Sequence, residues 1–371
     1  MLRTTLIHDY HAHHAKMTEF AGYDMPLWYT TIKDEHLAVR NSSGVFDVSH
    51  MGRFEISGEG STRFLEGLLP TQVEQQSTGR AFYSLLLNER AGIIDDLIVT
   101  RLGQSRYMII VNAANADTDM RHLLRHAPSS GVQIDDLTAS SVMIAVQGPE
   151  SARSLQPLTG LDLKQLKRFR CAETDLLGQA SIVSRRGYTG EDGYEVIVGV
   201  PTKDPTQPLK IWETLATTST PCGLGARDSL RLEAGLPLYG SDIDQDTNPF
   251  EADLSWVITP NKAGYVGSEK ISELAGSLPT TVRKGLLLNH GIPRHGFEIH
   301  DQSGPAGLVT SGTFSPILQK GIALCKIQRR ASEPGSQVEV QVRDESQSAQ
   351  VVKPPFYDER VYGWKRLSKG N

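Results

Sequence analysis

The chain has 371 residues, 39% apolar and 22% charged, enough for two or three globular domains with their own cores. A net charge of −5 and a pI near 6.1 argue against a nucleic-acid surface, which selects an excess of Lys and Arg. Cys171, Cys222 and Cys325 are odd in number and far apart with no C-x-x-C pair, which excludes a disulfide framework or zinc ribbon and fits a reduced cytoplasm.

The start, Met1-Leu-Arg-Thr-Thr-Leu-Ile-His-Asp9, lacks the apolar core of a signal peptide, and no run approaches the ~20 apolar residues of a membrane span. A cytoplasmic protein is expected. Leu6, Tyr10, Met17 and Phe20 recur at helical spacing, with Thr4 or Thr5 to cap and Gly22 to stop, and so predict one long first helix. It carries His8, His11, His13 and His14. Three of these could be drawn as a metal face, but no acidic residue or Cys is spaced to complete a site, so a solvated face is expected.

Phe46-Asp-Val-Ser-His-Met51 holds the residue types of a hydrolytic triad, yet neighbours on one short strand cannot reach its geometry. Strands are expected near Arg53–Ile56, Ile93–Val99, Tyr107–Val111 and Val142–Val146, with helical stretches at Gly60–Leu68 and Ala113–Ala127. The mixture is α+β, without regular βαβ alternation.

Within this region Ala91-Gly-Ile-Ile-Asp-Asp-Leu-Ile-Val-Thr100 sets two carboxylates inside an apolar, β-branched run. Side chains alternate faces along a strand, so Ile94, Asp96 and Ile98 share one face and Asp95 shares the other with Ile93 and Leu97. Diverging carboxylates exclude an aspartic-protease or glycosidase dyad and leave at most one facing a site. Burying a charge without a partner costs several kcal/mol, so the inward Asp is either hydrogen-bonded or held for a ligand. A strand-end carboxylate capping a loop is the plain alternative.

Arg186-Gly-Tyr-Thr-Gly-Glu-Asp-Gly-Tyr-Glu195 combines glycines that let backbone approach a ligand, tyrosines able to stack on a ring, and a terminal Glu. It also reads as a tight hairpin turning at Asp192-Gly193. Pro201–Pro208 is expected as a surface loop before a helix at Ile211–Ala216. Gly223-Leu-Gly-Ala-Arg-Asp228 resembles a dinucleotide fingerprint but follows Pro-Cys instead of a strand and lacks the third Gly. The helix Ser229–Ala234 puts Arg227 in a first turn, where the dipole does not favour a cation. Arg227 is therefore kept for a carboxylate or a ligand. From about residue 280, short alternating strands such as Val338-Glu-Val-Gln-Val342 read as a separate small β-barrel.

Together these residues resemble one family, the aminomethyltransferase or T-protein of the glycine cleavage system. The resemblance runs through Phe20-Ala-Gly-Tyr-Asp-Met-Pro26, Ala38 to Met51, Ile93-Ile-Asp-Asp-Leu97, Val111-Asn-Ala-Ala-Asn115, Ala145-Val-Gln-Gly-Pro149, Gly187-Tyr-Thr-Gly-Glu-Asp-Gly193, Cys222 to Gly235 and Thr310-Ser-Gly-Thr-Phe-Ser-Pro316. The ending, Pro354-Pro-Phe-Tyr-Asp358 with Tyr362-Gly363, resembles the archaeal branch. The family implies a three-domain cloverleaf around a central cavity. Two mixed α/β folate-binding domains would fill residues 1–270, and a C-terminal β-barrel residues 280–371.

The resemblance also implies the chemistry. The aminomethyl group on the lipoyl arm of H-protein loses ammonia, and its one-carbon unit passes to tetrahydrofolate, or to a modified archaeal pterin, as the 5,10-methylene derivative. No metal, nucleic acid or membrane is implied. The critical second carboxylate of the pair falls on Asp96, whose role would be to position the pterin nitrogens and stabilise an iminium-like cation. Glu195 matches the position that recognises the pterin ring, and Arg227 the cation beside it. Tyr83, Asn112 and Tyr188 match other cavity positions, while Arg360 and Tyr362 have no assigned role. Lys167-Arg-Phe-Arg170 departs from the tyrosines of bacterial relatives and stays outside the site. A folate-dependent demethylase is the nearer rival. A folate-binding iron–sulfur assembly factor is disfavoured because Lys262-Ala-Gly-Tyr-Val-Gly-Ser-Glu269 has Gly264 where that family has its cysteine.

Overall fold

A computed structural model describes residues 2–200, 205–342 and 345–366. The chain forms two compact units. The first takes in Met1–Leu68, Gln72–Ser84 and Asp96–Arg227, the second Leu69–Thr71, Leu85–Asp95 and Asp228–Asn371.

In the first unit the predicted long helix is short. It ends at His14, and Lys16–Phe20 pairs with Tyr23–Trp28 as an antiparallel hairpin. Ala21 and Gly22 both adopt positive φ, 51° and 77°, which is the backbone of a tight hairpin turn and cannot continue a helix. Met17 and Phe20 therefore lie on a strand. The expected Thr cap is absent too, since Ile7 is the N-cap and makes no side-chain cap bond.

A six-stranded sheet runs in the order Cys171–Leu176, Gln179–Ser184, Gly193–Gly199, Ser141–Gln147, Gly44–Asp47, Thr220–Pro221. All its pairs are antiparallel except the last. Ser141–Gln147 is buried at every position, as its uninterrupted apolar run demands of a strand covered on both faces. Its Val142, Ile144 and Val146 pack with Val196, Val198, Leu155 and the fully buried Trp212. Truncating Trp212 to Ala would cost ~3–5 kcal/mol.

Trp212 comes from the helix Thr206–Ala216, which begins inside the expected Pro201–Pro208 loop; residues 201–204 of that loop lie outside the described residues. Pro208 is tolerated because the first-turn N–H groups of a helix have no intrahelical partner to lose. A five-stranded sheet has the order Ala81–Leu87, Ile93–Gly103, Arg106–Val111, Gly52–Ser57, Gln133–Asp136.

The second unit holds a closed six-strand barrel in the order Thr281–Leu288, Lys320–Gln328, Gly304–Ser315, Glu298–Asp301, Gln337–Val342, Glu345–Val352. Thr281–Leu288 pairs with both Lys320–Gln328 and Glu345–Val352, which closes the ring and removes every sheet edge. Leu286, Ile299, Val340 and Val351 fill it. Outside the barrel wall, buried Arg231 donates to Asp242 at 2.6 Å and to Ser311 at 2.9 Å, so the guanidinium is paired and hydrogen-bonded as a buried charge must be.

Candidate active site

The residues singled out by the resemblance form two groups, both within the first unit. In the first group, alternation along Ile93–Gly103 buries Asp95 completely and leaves Asp96 partly exposed. Tyr83 Oη donates to Asp96 Oδ2 at 3.0 Å, and Asn112 Nδ2 donates to Oδ1 at 2.8 Å and to the Asp96 carbonyl at 3.1 Å. Each carboxylate oxygen thus takes a neutral donor. Such bonds hold the carboxylate plane, as electrostatic stabilisation of a developing cation requires.

The second group lies around the loop 185–192. Gln179–Ser184 and Gly193–Gly199 form a hairpin whose last pair is Ser184 with Glu195. Ten residues, 185–194, therefore separate that pair, and the hairpin does not close at Asp192-Gly193. Its glycines also answer to the protein. A β-carbon on Gly187 would lie 1.8 Å from Gln147 Oε1, and one on Gly193 would lie 2.5 Å from Gln147 Nε2. Gln147 in turn binds the Arg186 carbonyl at 3.1 Å and accepts from Thr189 Oγ1 at 2.8 Å. From the other side Arg40, on the helix Ile32–Asn41, donates to the Thr189 carbonyl at 2.9 Å and to Glu191 at 3.1 Å. The loop carrying Tyr188 is thereby fastened at 186, 189 and 191.

Glu195 and Arg186 are both buried, with Arg186 Nη2 2.5 Å from Glu195 Oε2. The N–H does not point along that line, so the contact is an ion pair in which neither atom completes a hydrogen bond. In the sequence Arg186 is only the residue that precedes Gly187, with nothing to mark it as the partner of Glu195. Facing Glu195 across a hairpin is a register that only pairing supplies.

Arg227 lies in the first turn of Leu224–Glu233, its guanidinium carbon 4.8 Å from the Tyr188 ring centroid, a cation–π contact. Burial lowers the Arg227 pKa against the opposing pull of Glu195 and Tyr188, and Arg186 lowers it further. The residue keeps some accessible surface, but Nη1 is buried and has no hydrogen-bond partner among the described residues. Glu35 anchors this helix start, accepting from Gly223 N at 2.8 Å and from Tyr29 N and Thr30 N.

The histidines of the first helix are not one solvated face. His11 is buried, 3.1 Å from Asp47 Oδ2 and 2.7 Å from the Tyr29 hydroxyl, and Trp212 meets its ring edge-on. His8 binds Asp24 at 2.8 Å, while His13 and His14 are exposed. Burial raises the Asp47 pKa, but bonds from His11 and Ser49 outweigh it and hold the carboxyl near 2. Among the described residues no group of three His, Cys, Asp or Glu side chains could hold a metal ion. Arg360 pairs with Asp358 at 2.7 Å on the surface.

Comparison with known proteins places the chain. The GCVT N-terminal domain family matches residues 6–262, and the glycine cleavage T-protein C-terminal barrel domain matches residues 283–358. The chain belongs to the glycine cleavage T-protein family. An aminomethyltransferase from a Picosynechococcus species is 40% identical over 361 residues, covering 96% of this chain and 98% of that one. One from Thermus thermophilus is 41% identical over 345 residues, covering 92% and 95%. The glycine cleavage system aminomethyltransferase T of Bartonella henselae superposes with a TM-score of 0.91 at 35% identity, covering 98% of this chain and all of that one. These T-proteins are bacterial, and nothing in them supports the archaeal placement suggested by the C-terminal residues. Gly264 has φ +78°, a conformation that disfavours the cysteine of the iron–sulfur assembly proteins and agrees with the T-protein assignment.

Proposed function

We propose that the chain is the aminomethyltransferase of glycine cleavage, taking the aminomethyl group from the lipoyl arm of a separate H-protein, releasing ammonia and passing the one-carbon unit to tetrahydrofolate. In this reading residues 1–270 are the folate-binding region and 280–371 the barrel domain. Bound tetrahydrofolate supplies the amine nitrogens that accept the carbon.

The observation that carries the reading is Asp96, a carboxylate set among apolar residues and held at both oxygens by Tyr83 and Asn112. Its charge stabilises the cationic carbon centre as the amine departs, a task worth a few kcal/mol in a site shielded from water. The second group suits recognition. Glu195 Oε2 and Arg227 Nη1 are buried polar atoms with unmade hydrogen bonds, an acceptor and a donor of the kind that an amino-pyrimidine edge and its carbonyl complete. Tyr188, stacked on Arg227, adds an aromatic wall.

The test supplies aminomethylated H-protein and tetrahydrofolate to the purified chain and measures ammonia and the methylene product. Turnover should require the carrier, and sarcosine or dimethylglycine should give nothing above background. Demethylation of a free amine at a comparable rate, without response to H-protein, would transfer the chain to the demethylases.

A further inference from the structure

His50 lies in the turn between Gly44–Asp47 and Gly52–Ser57 and is 2% exposed. Phe20 and Tyr23 meet its ring edge-on, at 5.6 and 6.3 Å between centroids. Its Nδ1 is buried and has no hydrogen-bond partner among the described residues. Such an orphan in a native core calls for an explanation.

Its surroundings supply one. Gly52 pairs with Val111, which sets the turn holding His50 beside the segment leading into Asn112. Tyr23, against the His50 ring, clusters with Ala113, and Leu224 packs on that cluster at the start of the helix bearing Arg227. The contacts of His50 thus reach, through Tyr23, both the segment that carries Asn112 and the helix that carries Arg227. Burial lowers its pKa to about 3, and the charges of Arg227 and Arg53 push the same way, so the imidazole is neutral and one ring nitrogen is an acceptor. The second orphan nearby, Arg227 Nη1, is a donor.

We propose that His50 is a further ligand-contacting residue, its Nδ1 accepting a hydrogen bond from a ring N–H of the reduced pterin whose neighbouring carbonyl accepts from Arg227. The inference rests on the folate reading given above. Tetrahydrofolate carries such a pair, since the N5–H lies beside the ring carbonyl, on the side away from the amino-pyrimidine edge assigned to Glu195. The N5–H that His50 would hold belongs to a nitrogen that receives the one-carbon unit, so His50 would also orient that nitrogen.

Calorimetric titration with tetrahydrofolate and with 5-methyltetrahydrofolate, which has no N5–H, tests this without turnover. His50→Leu should bind tetrahydrofolate about tenfold more weakly, with little change for the 5-methyl compound. His50→Asn, which can keep an acceptor near the Nδ1 position, should stay close to wild type. Equal losses for both folates, or none for either, would overturn the proposal. Should His50→Leu fail to fold, wild-type selectivity decides, and equal affinity for the two folates again overturns it. Glu195→Gln separates this from the underlying reading, because failure of the folate site abolishes the effect of that substitution on both compounds, whereas failure at His50 removes only N5 selectivity.

Discussion

The Tyr83 hydroxyl donates to Asp96 Oδ2 at 3.0 Å while Asp95, the next residue back, is completely buried. One strand thus gives adjacent carboxylates opposite tasks. Asp96→Asn should keep the fold and most of the folate affinity while lowering turnover by orders of magnitude. Asp95→Asn should lower the melting temperature more than the rate. Ammonia release and thermal unfolding measured on both variants separate the two, and equal rate losses would remove Asp96 from its role.

The Glu195–Arg186 pair sets up a second expectation. Glu195→Gln replaces a charged acceptor by an amide that presents donors to donors, and should weaken tetrahydrofolate binding by roughly 1.5–3 kcal/mol. Arg186→Leu strands a buried carboxylate and should cost stability first, on the order of 3–5 kcal/mol by denaturant titration.

Gly187 tests the loop as a support. Alanine there would bring a β-carbon to 1.8 Å from Gln147 Oε1, so Gly187→Ala should displace the loop that carries Tyr188 and lower both stability and folate affinity. Gln147→Ala removes the clashing amide. The double variant should therefore lose less than the sum of the two single losses, and strict additivity would dissociate the glycine from Gln147.

Acid sensitivity follows from His50 and Asp47. The pKa of His50 is near 3 in the fold against 6.5 when unfolded, so between those values the unfolded chain binds more protons and stability falls as pH drops from 6.5. Asp47, held near 2 against 3.8, contributes stability above 3.8 that is lost as pH falls toward 2. The melting temperature should decline from pH 6.5 downward and steepen below about pH 4, and His50→Asn should flatten only the upper part. An unchanged slope in that variant would contradict the assignment to His50.

Period-two alternation made the opposite faces of Asp95 and Asp96 readable from the chain alone, because a strand turns each side chain by a fixed half-turn whatever lies around it. The alternating strands of the barrel are legible for the same reason, the strand at Val142–Val146 by its unbroken apolar run, and a long ordered set of matching segments identifies the family. The spacing of Met17 and Phe20 suits a helix, and the positive-φ turn at Ala21 and Gly22, which a helix cannot contain, overrides it. The sequence shows His11 only as one of four histidines on a polar helix; Asp47, Tyr29 and Trp212 enclose it only when strand and helices close around it. Likewise the glycines of 187 and 193 promised room for a ligand, and packing assigned that room to Gln147. Local geometry is carried by neighbours in sequence and can be read there. Which buried polar group meets which partner depends on residues distant in the chain, such as Arg40 with Glu191, and is settled only when burial forces each charge and hydrogen bond to find its match.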